Sequence, residues 1–297
     1  MMEQRPLFGI LWMIVTGLAF VAVNVLVKIV GPRLPAAEAA FLRYALGLIF
    51  IVPAIPTLLR MHITARQWKL VSARGFVHTL AVITWFYAMA HIPMAEVTAL
   101  NYLNPVLVTV GAALFLGEKL AKRRIIAIGV ALIGALIVLR PGAREIDLGH
   151  LAMLCTALGF AIGYLIAKQL SSEMSATMVV TMLSLSVTVG LAHFAIAVWV
   201  TPTPYELAML LGVAFFATIG HYTMTRAFAA APLSVTQPVT FLQLVWSASI
   251  GAMFFGEPAD GFVLLGGGII IASISFITWR EAQARKRITP APNEAKH

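Results

Sequence analysis

The chain holds ten apolar runs at or near the length needed to cross roughly 30 Å of hydrocarbon, a pattern that excludes every water-soluble fold. They extend approximately from Phe8 to Val30, Ala36 to Leu59, Gly75 to Ala90, Val97 to Leu116, Ile125 to Leu139, His150 to Ala167, Thr177 to Val200, Leu207 to Ala230, Leu233 to Phe255 and Gly261 to Trp279. The third, fifth and sixth fall near or below the usual minimum of about 17 residues, so they must stand upright, borrow flanking residues or lie partly inside protein. With 60% hydrophobic and 11% charged residues and a mean hydropathy of +0.92, this 297-residue chain takes the lipid bilayer as its solvent. The fold class is all-α, a polytopic membrane protein.

A net charge of +9 is compatible with a nucleic-acid partner, but the basic residues form no stripe interleaved with aromatics, and topology explains them better. With a cytoplasmic N-terminus, the inner segments hold Arg5, Arg60, Arg66, Lys69, Arg74, Lys119, Lys122, Arg123, Arg124, Lys168, Arg280, Arg285, Lys286, Arg287 and Lys296. The outer segments hold only Lys28, Arg33, Arg140 and Arg144, a ratio of 15 to 4 that puts both termini in the cytoplasm. Arg43 and Arg226 remain within spans. The first run is too long for a signal-peptide core and lacks a cleavage site, so it is read as a retained span. The single Cys155 excludes an intramolecular disulfide and a cysteine-based metal cluster, and no cofactor is expected. Residues 281–297 are polar and read as a disordered cytoplasmic tail.

Shifting the chain on itself by 140 residues matches Gly9 with Gly149, Leu11 with Leu151, Met13 with Met153, Thr16 with Thr156, Leu18 with Leu158, Phe20 with Phe160 and Lys28 with Lys168. A shift of 139 matches Pro93 with Pro232, Val97 with Thr236, Gly117 with Gly256, Glu118 with Glu257 and Gly129 with Gly268. The units are 1–140 and 141–280, each of five spans. An odd number of crossings makes the second copy enter from the opposite side, so the repeat is inverted about an axis in the membrane plane. The loop after Glu118 is strongly basic, and its counterpart after Glu257 carries no positive charge, as opposite placement requires.

The segment from His91-Ile-Pro-Met-Ala-Glu-Val-Thr to Leu116-Gly-Glu118, its second copy from Ala230-Ala-Pro-Leu-Ser-Val-Thr-Gln-Pro to Gly256-Glu257, and Phe41-Leu-Arg43-Tyr resemble the EamA domain of the drug/metabolite transporter superfamily. The resemblance implies a ten-helix carrier with alternating access, its cavity lined mainly by helices 1, 3, 4, 6, 8 and 9. Leu11-Trp-Met-Ile-Val-Thr-Gly-Leu-Ala-Phe-Val and Pro35-Ala-Ala-Glu-Ala-Ala-Phe-Leu-Arg resemble the riboflavin-uptake branch. The second copy has Leu244 where the first has Pro105 and carries Pro238 instead, so the halves are expected to bend at different depths.

Polar side chains in hydrocarbon must face a cavity or a neighbouring helix. Thr98, Asn101 and Asn104 recur every three residues, and their repeat mates are Gln237, Thr240 and Gln243. Such amides serve as interhelical hydrogen-bond glue or, as two symmetric stripes meeting near the midplane, as a substrate site. In span eight Thr218, His221, Tyr222, Thr225 and Arg226 share one helical face, with Arg226 either snorkelling to the interface or gripping a carbonyl, carboxylate or phosphate. His78 and Trp85 share a face of span three. Trp12, Thr16, Phe20 and Asn24 run at i+4 spacing in span one, and Asn24 aligns with Tyr164 of span six. Arg43, five residues after Glu38, reads as an interface anchor, and Glu118 and Glu257 read as caps of the helices that follow them.

No Asp or Glu lies in mid-span, which leaves His78 and His221 as the intramembrane titrating groups besides tyrosines and favours a carrier driven by its substrate gradient. The sequence has no HExxH, no GxSxG and no intramembrane acidic pair, so an enzyme is not expected. It also lacks the filter-like repeats of a channel. A small-molecule transporter fits best. Amides and hydroxyls flanked by Trp, Tyr and His suit a molecule with a flat aromatic part and several hydrogen-bonding groups, as riboflavin has. Export or import of amino acids or related metabolites such as S-adenosylmethionine stays open, with Arg226 as the carboxylate handle.

Overall fold

The computed structural model describes residues 6–60, 62–115, 122–143, 145–170, 173–231 and 236–288. Ten crossing helices follow one another: α1 Pro6–Val30, α2 Ala36–Gly47, α3 Ala65–His91, α4 in two segments (Met94–Asn101 and Leu103–Phe115), α5 Lys122–Leu139, α6 Leu148–Leu170, α7 Ala176–Ala197, α8 Pro204–Ala230, α9 Phe241–Phe255 and α10 Gly261–Ile288. A 3-10 turn at Leu48–Ala54, containing Pro53, prolongs α2, and a second at Gln237–Thr240 opens α9. Eight of the crossings are long and apolar enough to span by themselves. The other two are α3, whose first three turns carry Arg66, Lys69 and Arg74, and α5, which opens on Lys122, Arg123 and Arg124. Two of the spans expected to be short are full length, since α3 has 27 residues and α6 has 23. The last helix continues past the expected boundary at 280 to Ile288, and the remaining tail and Glu118 lie outside the described residues.

The expected difference in bending is present and has a covalent cause. In α4 the helix breaks at Tyr102, three residues ahead of Pro105, which has no N–H to give the carbonyl one turn earlier. In α9 the irregularity falls at the start, around Pro238, and the helix then runs unbroken through Leu244.

Packing obeys the inverted repeat. The α1–α8 and α3–α6 pairs are the most extensive, and each becomes the other when the halves are exchanged. The pairs that map onto themselves, α5–α10, α2–α7 and α4–α9, also pack together. The correspondence extends to single hydrogen bonds. The Thr16 and Thr223 hydroxyls meet at 2.9 Å between α1 and α8, and their repeat mates Thr156 and Thr84 meet at 2.7 Å between α6 and α3. Both α3 and α8 begin with a capping box, Thr64 with Gln67 and Thr203 with Glu206, again 139 residues apart.

On the pseudo-symmetry axis α5 and α10 touch backbone to backbone. A Cβ on Gly266 would lie 2.5 Å from the Gly134 carbonyl oxygen, and one on Gly134 would lie 2.7 Å from the Gly266 carbonyl oxygen. Where lipid removes the hydrophobic drive between helices, such close approach supplies the dispersion contact that holds them. Gly266→Val should therefore push the pair apart at a cost of about 1–3 kcal/mol, read as a lower unfolding temperature in detergent. Gly129→Val, whose Cβ would meet nothing within 4 Å, should behave as the parent protein, and equal effects at the two positions would contradict this account.

The two ends of the bundle differ. At the end away from the chain termini, Lys28 of α1 lies 2.7 Å from Glu257, beyond α9, and donates to the Ile92 carbonyl at 2.9 Å. Gly256 adopts a left-handed conformation (φ 64°) that ends α9 and turns Glu257 back across the bundle. There its carboxylate accepts the Met94 N–H at 2.9 Å, so Glu257 caps α4 of the other half and not α10, which corrects the sequence expectation. Arg33 pairs with Glu206, Arg140 with Asp260, and His150 Nε2 lies 2.6 Å from Glu96. Glu38, fully buried, accepts the Val200 N–H at 2.8 Å and so does not serve Arg43. At the terminal end the exposed Arg66 pairs with Glu173. Ion pairs thus fasten the helices together at the far end. Removing the charge by Glu257→Gln should loosen that fastening by about 1–2 kcal/mol, or roughly tenfold in the opening equilibrium. The check is labelling of Ala95→Cys, in a Cys155→Ser background, by a membrane-impermeant thiol reagent, and an unchanged rate would refute the assignment.

Candidate functional site

Helices α4 and α9 pack against each other, and the hydrogen bonds between them reach Ser247 and the Thr240 backbone, not the side chains of the α9 stripe. Thr98 Oγ1 is 3.1 Å from Ser247 Oγ, and the Tyr102 hydroxyl donates to the Thr240 carbonyl at 2.7 Å. Asn24 of α1 donates to Thr98 at 3.3 Å, so α1, α4 and α9 are tied at one buried point. Asn24 and Thr98 therefore act as interhelical ties here. Asn101 is different: it is half-buried, and its enclosed Oδ1 has no hydrogen-bond partner. Asn104 is buried on the second segment of α4, and Gln243 is half-buried where α9 meets Gly17 of α1. Gln237 falls in the 3-10 turn at the start of α9, and its side chain, like that of Thr225, lies outside the description.

The face expected on α8 is shared between two depths. His221 meets the edge of Phe20 of α1 with ring centroids 5.3 Å apart. One turn nearer the terminal end, Arg226 donates to the Tyr222 hydroxyl at 3.3 Å, and its guanidinium stands 5.5 Å from the centre of the Trp12 ring. Arg226 is four residues from the end of α8, so it serves the mouth of the bundle and not its midplane. The α1 stripe is thus distributed among partners: Trp12 to Arg226, Thr16 to Thr223, Phe20 to His221 and Asn24 to Thr98.

On α3, His78 and Trp85 do share a face, about 10 Å apart along the axis. The His78 Nε2 atom is 3.1 Å from the Tyr44 hydroxyl of α2, and its ring lies 4.9 Å from that of Phe160 of α6. Trp85 packs edge-on against Phe86. Tyr164 of α6 and His221 of α8 keep accessible side-chain surface, so both are open to a ligand. A separate, mostly apolar groove at the far end, between Val30, Pro32, Phe86 and His91, does not include these polar residues.

Sequence reasoning missed Arg43, Tyr44, Arg74 and Ser247. Arg43, read as an interface anchor, places its guanidinium 4.1 Å from the centre of the Tyr44 ring and acts electrostatically on both His78 and His221. Arg74, counted with the loop charges, lies nine residues inside α3, is buried and donates to the Val179 carbonyl of α7 at 3.0 Å. The signal for it was present: Arg74, His78 and Trp85 fall at i, i+4 and i+11, one helical face. The candidate site therefore combines amides, hydroxyls, imidazoles and guanidinium groups with aromatic rings. Among the described residues it has no carboxylate, nor any cluster of His, Cys, Asp and Glu able to hold a metal.

Comparison with known proteins agrees with this architecture. The model of the EamA-like transporter family matches twice, at residues 7–140 and 147–279. A riboflavin transporter of Vibrio cholerae is 30% identical over 290 residues, covering 96% of this chain and 97% of that one. A riboflavin transporter of Rhizobium johnstonii is also 30% identical, over 96% and 95% of the two chains. An S-adenosylmethionine uptake transporter of Rickettsia bellii is 26% identical over 94% and 96%. A solved crystal structure superposes with a TM-score of 0.58 at 16% identity, over 96% of this chain and 97% of that one, which shows the shared fold. With both halves matched and the two-fold packing in place, the chain is a multi-pass membrane transporter and belongs to the EamA-like transporter family.

Proposed function

We propose that this transporter takes up riboflavin across the bacterial inner membrane by alternating access, with both termini in the cytoplasm. The observation that carries the substrate is the 30% identity, over nearly the whole of each chain, to two riboflavin transporters. The chemistry of the cavity supports it. Riboflavin has a flat ring system edged with carbonyl and imide groups and a hydroxylated tail. Trp85, Phe160 and Tyr164 offer ring surfaces, while Asn101, His78, Tyr44 and His221 offer hydrogen bonds. The assigned site comprises Asn24, His78, Trp85, Thr98, Asn101, Asn104, Tyr164, His221, Tyr222, Arg226, Gln237, Thr240 and Gln243, with Asn24 and Thr98 shaping it through their mutual bond.

The 15-to-4 bias of basic residues supports cytoplasmic termini. In that orientation the end laced by Lys28–Glu257 and Arg33–Glu206 faces outward, and the conformation is closed to the outside. The absence of a mid-span carboxylate in the sequence supports a facilitator driven by the substrate gradient. A second reading, transport of amino-acid-like metabolites or S-adenosylmethionine, draws on the 26% relative and on Arg226 beside Trp12 as a carboxylate handle.

Expression in a riboflavin auxotroph should restore growth at low external vitamin, and labelled riboflavin should enter at a rate insensitive to an uncoupler. Lack of rescue by well-expressed, inserted protein would sink the substrate. Asn101→Ala, Arg226→Ala and Gln237→Ala should each lower uptake several-fold, the scale of one lost hydrogen bond of about 1 kcal/mol, with membrane abundance unchanged. Normal uptake in all three would remove the site assignment.

A further inference from the structure

Two guanidinium groups inside the bundle, those of Arg43 and Arg74, have no carboxylate partner among the described residues. Arg74 is 7% exposed, and a guanidinium has five N–H donors in a fixed fork. Its Nη1 group serves the Val179 carbonyl, but its buried Nε has no hydrogen-bond partner. Arg43 rests on the Tyr44 ring and makes no ion pair among the described residues, because its sequence neighbour Glu38 is engaged with Val200. The Tyr44 hydroxyl in turn contacts His78 at 3.1 Å. Arg43 lies seven residues from the start of α2 and Arg74 nine residues from the start of α3, which enters from the opposite end. They therefore approach the midplane from the two sides, each about 10–13 Å in from its own end, with His78 one turn beyond Arg74.

A buried guanidinium without a counter-ion is costly in hydrocarbon, and the cost is recovered when an oxygen acceptor fills its fork. We propose that Arg43, Tyr44, Arg74 and His78 form an acceptor-binding subsite that takes a planar group edged with carbonyl oxygens or bearing negative charge, and that excludes cationic cargo. The proposal rests on the reading of this cavity as the cargo site and deepens it. In riboflavin the matching group is the dione edge of the ring system, which presents two carbonyl oxygens on either side of an acidic N–H. A sulfonium-bearing cargo meets like charge here, so the subsite separates the two readings given above.

The test uses the full-length protein purified in detergent, with orotate as a planar anionic dione and the methylnicotinamide cation as a planar probe of opposite charge. Orotate should raise the unfolding temperature of the parent protein in a dose-dependent way and compete with labelled riboflavin in proteoliposomes, and the cation should do neither. Arg43→Gln and Arg74→Gln should raise the orotate concentration for half-effect about tenfold, while Arg43→Lys and Arg74→Lys recover part of the loss by keeping the charge. If Arg74→Gln fails to fold, the Arg43→Gln and Arg43→Lys pair carries the comparison. Equal responses to the two probes, no response to orotate, or glutamine variants that respond like the parent would overturn the subsite. Riboflavin uptake is scored separately. Uptake without any orotate response removes the subsite and leaves the function, whereas an arginine-dependent orotate response without riboflavin uptake keeps the subsite and removes riboflavin as the cargo.

Discussion

Hydrocarbon offers no partner to a polar group, and nearly every feature of this protein follows from that one property of its solvent. It forces the backbone into helices and drives polar side chains within a span towards partners inside the protein. Thr16 satisfies itself on Thr223, Thr84 on Thr156 and Asn24 on Thr98, and in doing so each pins a pair of helices. It also removes the hydrophobic drive between helices, so contact at the axis is left to Gly134 and Gly266, where the absence of a Cβ lets backbones touch.

The inverted repeat turns this set of ties into a two-ended device. Each interaction of one half has a counterpart position at the opposite end, because the second copy enters the membrane from the other side. The partnership of Lys28 with Glu257 shows what such a symmetry achieves. The carboxylate lies beyond a helix of the second half, the cation on a helix of the first, and the capped N–H belongs to Met94 of the first. A single residue thereby spans the interface between repeats. Discrete, breakable contacts of this kind favour distinct arrangements over a continuum, which suits the alternating access proposed for this transporter.

The helix count and the repeat were legible in the sequence because they are written in quantities that one dimension preserves: run length and the 139- and 140-residue spacings. The stripe at Thr98, Asn101 and Asn104 was legible as a pattern, but not in the division of labour within it. Whether a hydroxyl is a tie or a free contact depends on which residue of a distant helix arrives opposite, and Ser247, 149 residues away, decides that for Thr98. Glu257 was recognised as a cap but assigned to the adjacent helix, since sequence proximity suggests α10 while the left-handed turn at Gly256 delivers it to α4.

Arg43 and Arg74 were misread for the opposite reason, since each has a plausible explanation in its own neighbourhood. Arg43 stands near Glu38, and Arg74 follows Arg66 and Lys69 at the edge of an apolar run. The fold removes both explanations. Glu38 turns away to Val200, and α3 begins at Ala65, so its charged first turns carry Arg74 inward to the level of Tyr44 and Tyr164. A polar start costs α3 its standing as a self-sufficient span: at 27 residues it is long enough, but it falls short of the apolarity that eight other crossings meet. That shortfall is informative: a helix surrounded by α2, α6 and α7 need not satisfy lipid on every face, and it is free to present charge to a cavity. The least hydrophobic helices of a carrier are thus the ones whose polar residues most need a functional account.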